Sequence, residues 1–212
     1  MSVKIERMGW YAAIALAGVM CGMGFKAPGD KVGTVDLNKV FTDSDYSKKQ
    51  QETLRGAKTI RVGVLDLVNT YKVLKPEDAQ KFHDLSLKDK LTPEDKIALD
   101  KITQSAKDAD AQYRALATKS NPTPAELAQI EEFNRHKDSL GVLQQKWTQE
   151  FNDELNGLGE KAQNDAISKI RDIVSQVAKE QGFSVVFSSQ VAPYSANDLT
   201  DAATKLMNKS KS

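Results

Sequence analysis

The chain has 212 residues, 28% of them charged and 7% aromatic, with a formal net charge of +1. That length suits one or two compact domains, and the composition suits long solvated helices better than one thick core. The near-neutral balance leaves no electrostatic footprint for a nucleic acid, and with Cys21 the only cysteine no internal disulfide can form.

The opening "MSVKIERMG" carries Lys4 and Arg7, and residues 10–25 follow without a charge. A basic stretch before a short apolar one is the pattern of a signal peptide, and Gly22 and Gly24 are spaced as a cleavage site requires. The apolar run of 16 residues falls short of the roughly 20 that span a bilayer. Retention as a membrane anchor stays open, because Lys26 can snorkel and the bilayer can thin; membrane contact would then run through residues 10–25. Val19 and Met20 stand where small residues precede a lipid-modified cysteine, which argues against lipidation of Cys21. On either reading, residues 1–27 direct the remainder out of the cytoplasm.

"KVGTVDLNKVF", residues 31–41, predicts a strand with Val35 and Leu37 on one face and Val32, Thr34 and Asp36 on the other. Gly33 allows another backbone to approach closely. Helix-forming sequence then runs from about Ser44 to Lys75, stops at Pro76, and resumes with Thr92 as N-cap and Pro93 at N1, as far as about Lys119. Residues 76–92 read as an elbow with one short helix, and 119–124 as a tip where Pro122 and Pro124 stop the helix. Thr123, Pro124 and Glu126 then supply an N-cap, an N1 proline and a capping-box glutamate. No proline follows until Gly182, placed as the C′ residue. These 58 residues would extend about 87 Å as one helix.

The seam of the return helix is Leu140, Leu143, Trp147, Phe151, Leu155, Leu158, Ala162, Ala166, Ile170, Ile173 and Val177. Its spacing lies nearer an 11- than a 7-residue repeat, which predicts nearly straight arms. The outgoing arm offers Leu54, Ala57, Ile60, Val64, Leu67, Val68, Tyr71 and Leu74. One stripe per helix is thin support for such length, which points to oligomerisation at the base.

In "EQGFSVVFSSQ", Phe183, Val185 and Phe187 alternate with Ser184, Val186 and Ser188, predicting a second strand. A lone strand leaves backbone groups unpaired, so this one needs the first as its partner. "VAPYSA" reads as an edge strand, since Pro193 cannot donate. Asp198 reads as the N-cap of a closing helix with Leu199, Ala203, Leu206 and Met207 as its stripe. The expected fold class is therefore α+β. Residues 28–43 and 182–212 form a small body, and residues 44–181 form a long antiparallel helical hairpin inserted between its strands.

The chemistry-bearing residues are sparse. His83 and His136 are isolated, so neither a metal site nor a catalytic role is expected. Asp36 reads as a local cap or pair at a strand end, and Trp147 and Phe151 as seam residues. No phosphate loop, no nucleophile with its base and no paired carboxylates appear, so no enzyme and no cofactor are expected.

Asp36 and Phe41 in "VGTVDLNKVF" stand where the opening strand of the Skp/OmpH periplasmic chaperones has them, and the segment resembles that strand. "AISKIRDIVSQVAKEQGFSVVFSSQVAPYSANDLTDAATKLMN" is similar to the family's close: a helix ending at Gly-aromatic, a strand, an edge strand holding Tyr194, a cap at Asp198, Leu199 and Thr200, and a last helix. About 75 residues at the two ends carry the resemblance. It implies a periplasmic homotrimer whose three bodies join while three arms enclose a cavity for an unfolded client. Structural and oligomerisation roles then fall to Val35, Asp36, Leu37, Phe41, Phe183, Val185, Phe187, Tyr194, Asp198, Leu199 and Thr200. The implied partners are unfolded outer-membrane or envelope proteins. Ile60, Leu67 and Leu127, at or beside the edge of the seam, are the client-contact candidates.

Two features depart from the family pattern. The outgoing arm is longer and interrupted, and residues 76–123 carry 8 basic against 9 acidic residues, so lipopolysaccharide binding is not carried over. The expected function is an ATP-independent holdase. The alternative is a structural coiled-coil spacer of the envelope, which requires a rigid and continuous seam; the elbow favours the holdase.

Overall fold

The computed structural model describes residues 31–193 and 196–210, and these are mostly helical. The elements in order are β1 (Lys31–Val35), α1 (Leu37–Thr42), α2 (Asp45–Thr70), α3 (Pro76–Ser86), α4 (Pro93–Ala117), α5 (Pro124–Gln181), β2 (Phe183–Ser188) and α6 (Thr200–Lys209). The chain divides into two compact units, one formed by Arg55–Gly157 and the other by the residues on either side of it.

In the unit built from the two chain ends, β1 and β2 pair in parallel. The first strand is shorter than the sequence pattern predicts. Asp36 ends it, because its Oδ1 accepts the Lys39 amide at 3.0 Å and so caps α1. Leu37 and Phe41, expected on a strand and just beyond it, are thus helical; Phe41 is buried and Leu37 packs against the same core. The alternation in β2 is also modified. The register slips between Lys31 and Val32, so Phe183 faces Lys31 while Val185 faces Val32. One extra residue in β2 swaps the faces beyond it. Phe183 and Val186 meet the core, while Val185 is half-buried and Phe187 is exposed.

The edge strand expected at 191–196 is not formed by 191–193; Tyr194 lies outside the described residues. The amides of Val191 and Ala192 turn back onto the Ser188 carbonyl at 2.9 and 3.0 Å, so the chain bends away directly after β2. The other side of β1 is taken instead by residues 197–199, through Thr34 N to Asn197 O and Leu199 N to Thr34 O, both 2.8 Å. Asp198 stands one residue before the N-cap Leu199 rather than at it, yet its Oδ1 still accepts the Thr200 amide at 2.8 Å. The core gathers Val35, Val40, Ile170, Ile173, Val177, Leu199, Ala203 and Met207. Gly182 closes α5 with φ +72, the left-handed conformation that favours glycine.

In the Arg55–Gly157 unit the outgoing helix ends at Thr70, five residues before the expected stop. No proline or glycine causes this break. Residues 71–75 turn sharply, with Leu74 N donating to Tyr71 O at 3.2 Å, and Val73 and Leu74 are buried as a result. Here tertiary packing outweighs helix propensity. Pro76 and Pro93 begin α3 and α4 at N1, and Thr92 with Asp95 forms a complete capping box. The elbow is mostly helix: α3 buries Ala79 and packs Phe82 against a core of Val64, Leu67, Val68, Leu74, Ile102, Ala106, Leu140, Trp147 and Phe151, and Leu85 is buried as well. Only residues 87–92 remain as linker. Hydrogen exchange should therefore find amides 80–87 protected and 89–91 fast. Equal exchange across 76–92 would show that α3 is not held in place.

The seam is not continuous. The buried residues of α5 fall at 133–151 and 162–177, with Leu155 half-buried and Leu158 exposed between them.

The tip is held by charge as well as by proline. Glu126 accepts the Thr123 amide at 2.8 Å, and Lys119 Nζ donates to its Oε1 at 2.6 Å. The Lys119 hydrogen bond, then the Thr123 amide, lowers the Glu126 carboxyl to about 2. A depressed carboxyl contributes stability above its unfolded value of about 4.3 and loses it only as pH falls through the folded value. The Thr123 amide should accordingly keep its hydrogen bond, read by its NMR temperature coefficient, until pH approaches about 2. Release near pH 4 would contradict this.

Candidate functional site

The residues singled out in the sequence fall into two groups, one in each unit. At the chain ends, Asp36, Asp198 and Thr200 form a connected polar set. The Asp36 amide donates to Thr200 Oγ1 at 2.9 Å, and the Thr200 hydroxyl donates to Asp198 Oδ1. This ties the start of α1 to the start of α6, which is why a buried threonine is satisfied there. Val35, Phe41 and Leu199 are core residues within one chain. The large apolar residues left exposed there, among the described residues, are Val32, Leu158, Phe187 and Val191, of which only Phe187 stands among the oligomerisation candidates taken from the sequence.

In the Arg55–Gly157 unit the aromatic residues are enclosed. The His83 ring stacks on Trp147 at 4.7 Å and on Phe151 at 5.5 Å. Its Nδ1 lies 2.8 Å from Asp84 Oδ1, a hydrogen bond that holds the Asp84 carboxyl below the usual range. Arg61 sits 5.7 Å from the Phe151 ring centroid and bonds Glu154 Oε2 at 2.8 Å. Trp147 is left 1% exposed, so it is a core residue. His136 Nδ1 lies 3.2 Å from the Val73 carbonyl, satisfying the turn that ends α2.

Of the three contact candidates, Ile60 and Leu127 are exposed. Leu67 is not: it is buried in the core with Val64 and Trp147, because the break at 71–75 folds α3 over that face of α2. Ile97 and Val142, at 55% and 70% exposure, are more open than any candidate taken from the sequence. Val142 was readable as an apolar residue between the seam positions Leu140 and Leu143 on a helix. Ile97 carried no such signal, since its exposure depends on how α3 packs.

Among the described residues no group of His, Cys, Asp and Glu could hold a metal ion. No helix among them is long and apolar enough to cross a membrane, and residues 10–25 lie outside them.

A family model described as outer membrane protein (OmpH-like) matches residues 31–207. The chain belongs to the OmpH-like family. The match takes in α3 and α4 as well as the two ends, so the interrupted outgoing segment lies inside the family's span. No curated protein and no solved structure matches the chain.

Proposed function

We propose that this protein is an ATP-independent periplasmic holdase, a homotrimer whose arms enclose unfolded outer-membrane or envelope proteins. Family membership over residues 31–207 is the observation that carries the reading. Trimerisation through the chain-end unit is supported by its sheet. Among the described residues β2 has β1 as its only strand neighbour, and Val32 and Phe187 are exposed beside it. Such an edge and face suit the addition of another copy. The pairing of α2 with α5 as an antiparallel arm is supported within the Arg55–Gly157 unit, where Arg61 meets Glu154 and Val73 meets His136.

Client contact would be spread over isolated apolar residues such as Ile60 and Leu127, each weak, with affinity arising from their number. The discontinuous seam and the linker at 87–92 favour this over an envelope spacer, which needs unbroken stiffness. Sedimentation of residues 28–212 with a urea-denatured β-barrel protein tests the proposal. It should give a trimer alone and a trimer–client complex on mixing. A monomer that takes up no client would end it.

A further inference from the structure

We propose that the groove between α3 and α4 is a contact site for an extended polypeptide segment whose apolar and charged side chains alternate, as in a strand of an unfolded β-barrel client. This rests on the holdase reading and adds to it a defined place of contact. The groove has a volume of 490 Å³. Its apolar part is Ile97, Ala98 and Ile102; Ile102 is buried and belongs to the core, so the floor is fixed, while Ile97 is open to solvent.

Four charged residues line it as well: Asp78 and Lys81 from α3, Glu94 and Lys101 from α4. None of the four makes an ion pair or side-chain hydrogen bond among the described residues. Asp78 and Glu94 lie in first turns, where the helix dipole favours a carboxylate; Lys81 and Lys101 have no such local reason.

The result is an apolar floor between unpaired charges that sum to zero. Its complement is a segment of low net charge that offers both signs and both backbone hydrogen-bonding groups. An extended chain does this, since successive side chains point to opposite sides. Membrane β-strands alternate in the required way, apolar on one side and polar on the other. One row would seat on Ile97 and Ile102, while the lysines meet carbonyls or acids and the carboxylates meet amides or basic side chains. A helix with one broad apolar face would leave the charges on one wall unmatched.

The test places a photo-crosslinking residue at position 97, or at position 142 as a control, in residues 28–212. Val142 is the more exposed of the two but does not line this groove. A urea-denatured eight-stranded β-barrel protein is diluted into each variant. Crosslinking at 97 should exceed that at 142 several-fold, and Ile97→Asp should weaken protection against aggregation about twofold with the circular dichroism unchanged. A soluble peptide of alternating pattern should compete at 97 better than a peptide of the same composition with its apolar residues in one block. Equal yields at 97 and 142 with protection intact would overturn the groove and leave the holdase reading standing. Equal competition by the two peptides would overturn the preference for alternation. No protection by the unmodified protein would overturn both readings.

Discussion

Replacing Trp147 by alanine lowers the stability of the Arg55–Gly157 unit by about 3–5 kcal/mol, the range for truncating a large buried aromatic. The size follows from its surroundings. Trp147 lies in the cluster of Val64, Leu74 and Leu140, with the His83 ring stacked on one side of it. Truncation removes the apolar contact and leaves a cavity walled by α2, α3 and α5. The His83 ring, with its Asp84 partner, loses its support as well. Since Trp147 is the only tryptophan in residues 28–212, urea unfolding is best followed by circular dichroism. Leu127→Ala, at an exposed position, should stay within about 0.5 kcal/mol of the parent. A loss below about 1 kcal/mol for Trp147→Ala would show that the stack does not carry this unit.

Gly33→Val should do comparable damage at the chain ends and separate the proposed trimer into monomers. Any Cβ on Gly33 collides with the Leu199 side chain and stands 3.1 Å from the Phe183 ring. Leu199 is buried at the start of α6 and the Phe183 ring stands beside it, so the side chains that must give way are confined. Overpacking of this kind usually costs about 1–3 kcal/mol. Thermal unfolding and sedimentation measure the two effects. An unchanged melting temperature together with an intact trimer would mean that the close approach at Gly33 does not hold the sheet.

What the sequence made legible was local chemistry. Pro93 and Pro124 at N1, each behind a capping threonine, mark helix starts because capping involves only neighbouring residues. Gly182 marks a helix end for the same reason. The family was legible from the two chain ends, where strand, cap and closing helix follow one another in a fixed order. Features set by distant contacts were hidden. The stop at Thr70 comes from burying Val73 and Leu74, and α3 packs most of the expected elbow into the core and encloses Leu67. The slip between β1 and β2 depends on pairing across the whole excursion, so the period of two in β2 pointed Phe187 toward a core it does not enter. The α3–α4 groove was hidden because Asp78, Lys81, Glu94 and Lys101 read as ordinary solvated charges until two helices bring them together.

The central claim is that this chain holds unfolded clients without a nucleotide, and light scattering tests it most directly. A urea-denatured outer-membrane β-barrel protein is diluted into buffer with and without residues 28–212. Scattering should fall to near the buffer level at about one trimer per client, and ATP should change nothing, since no phosphate-binding loop is present in the sequence. Scattering that rises equally in both samples would contradict the account.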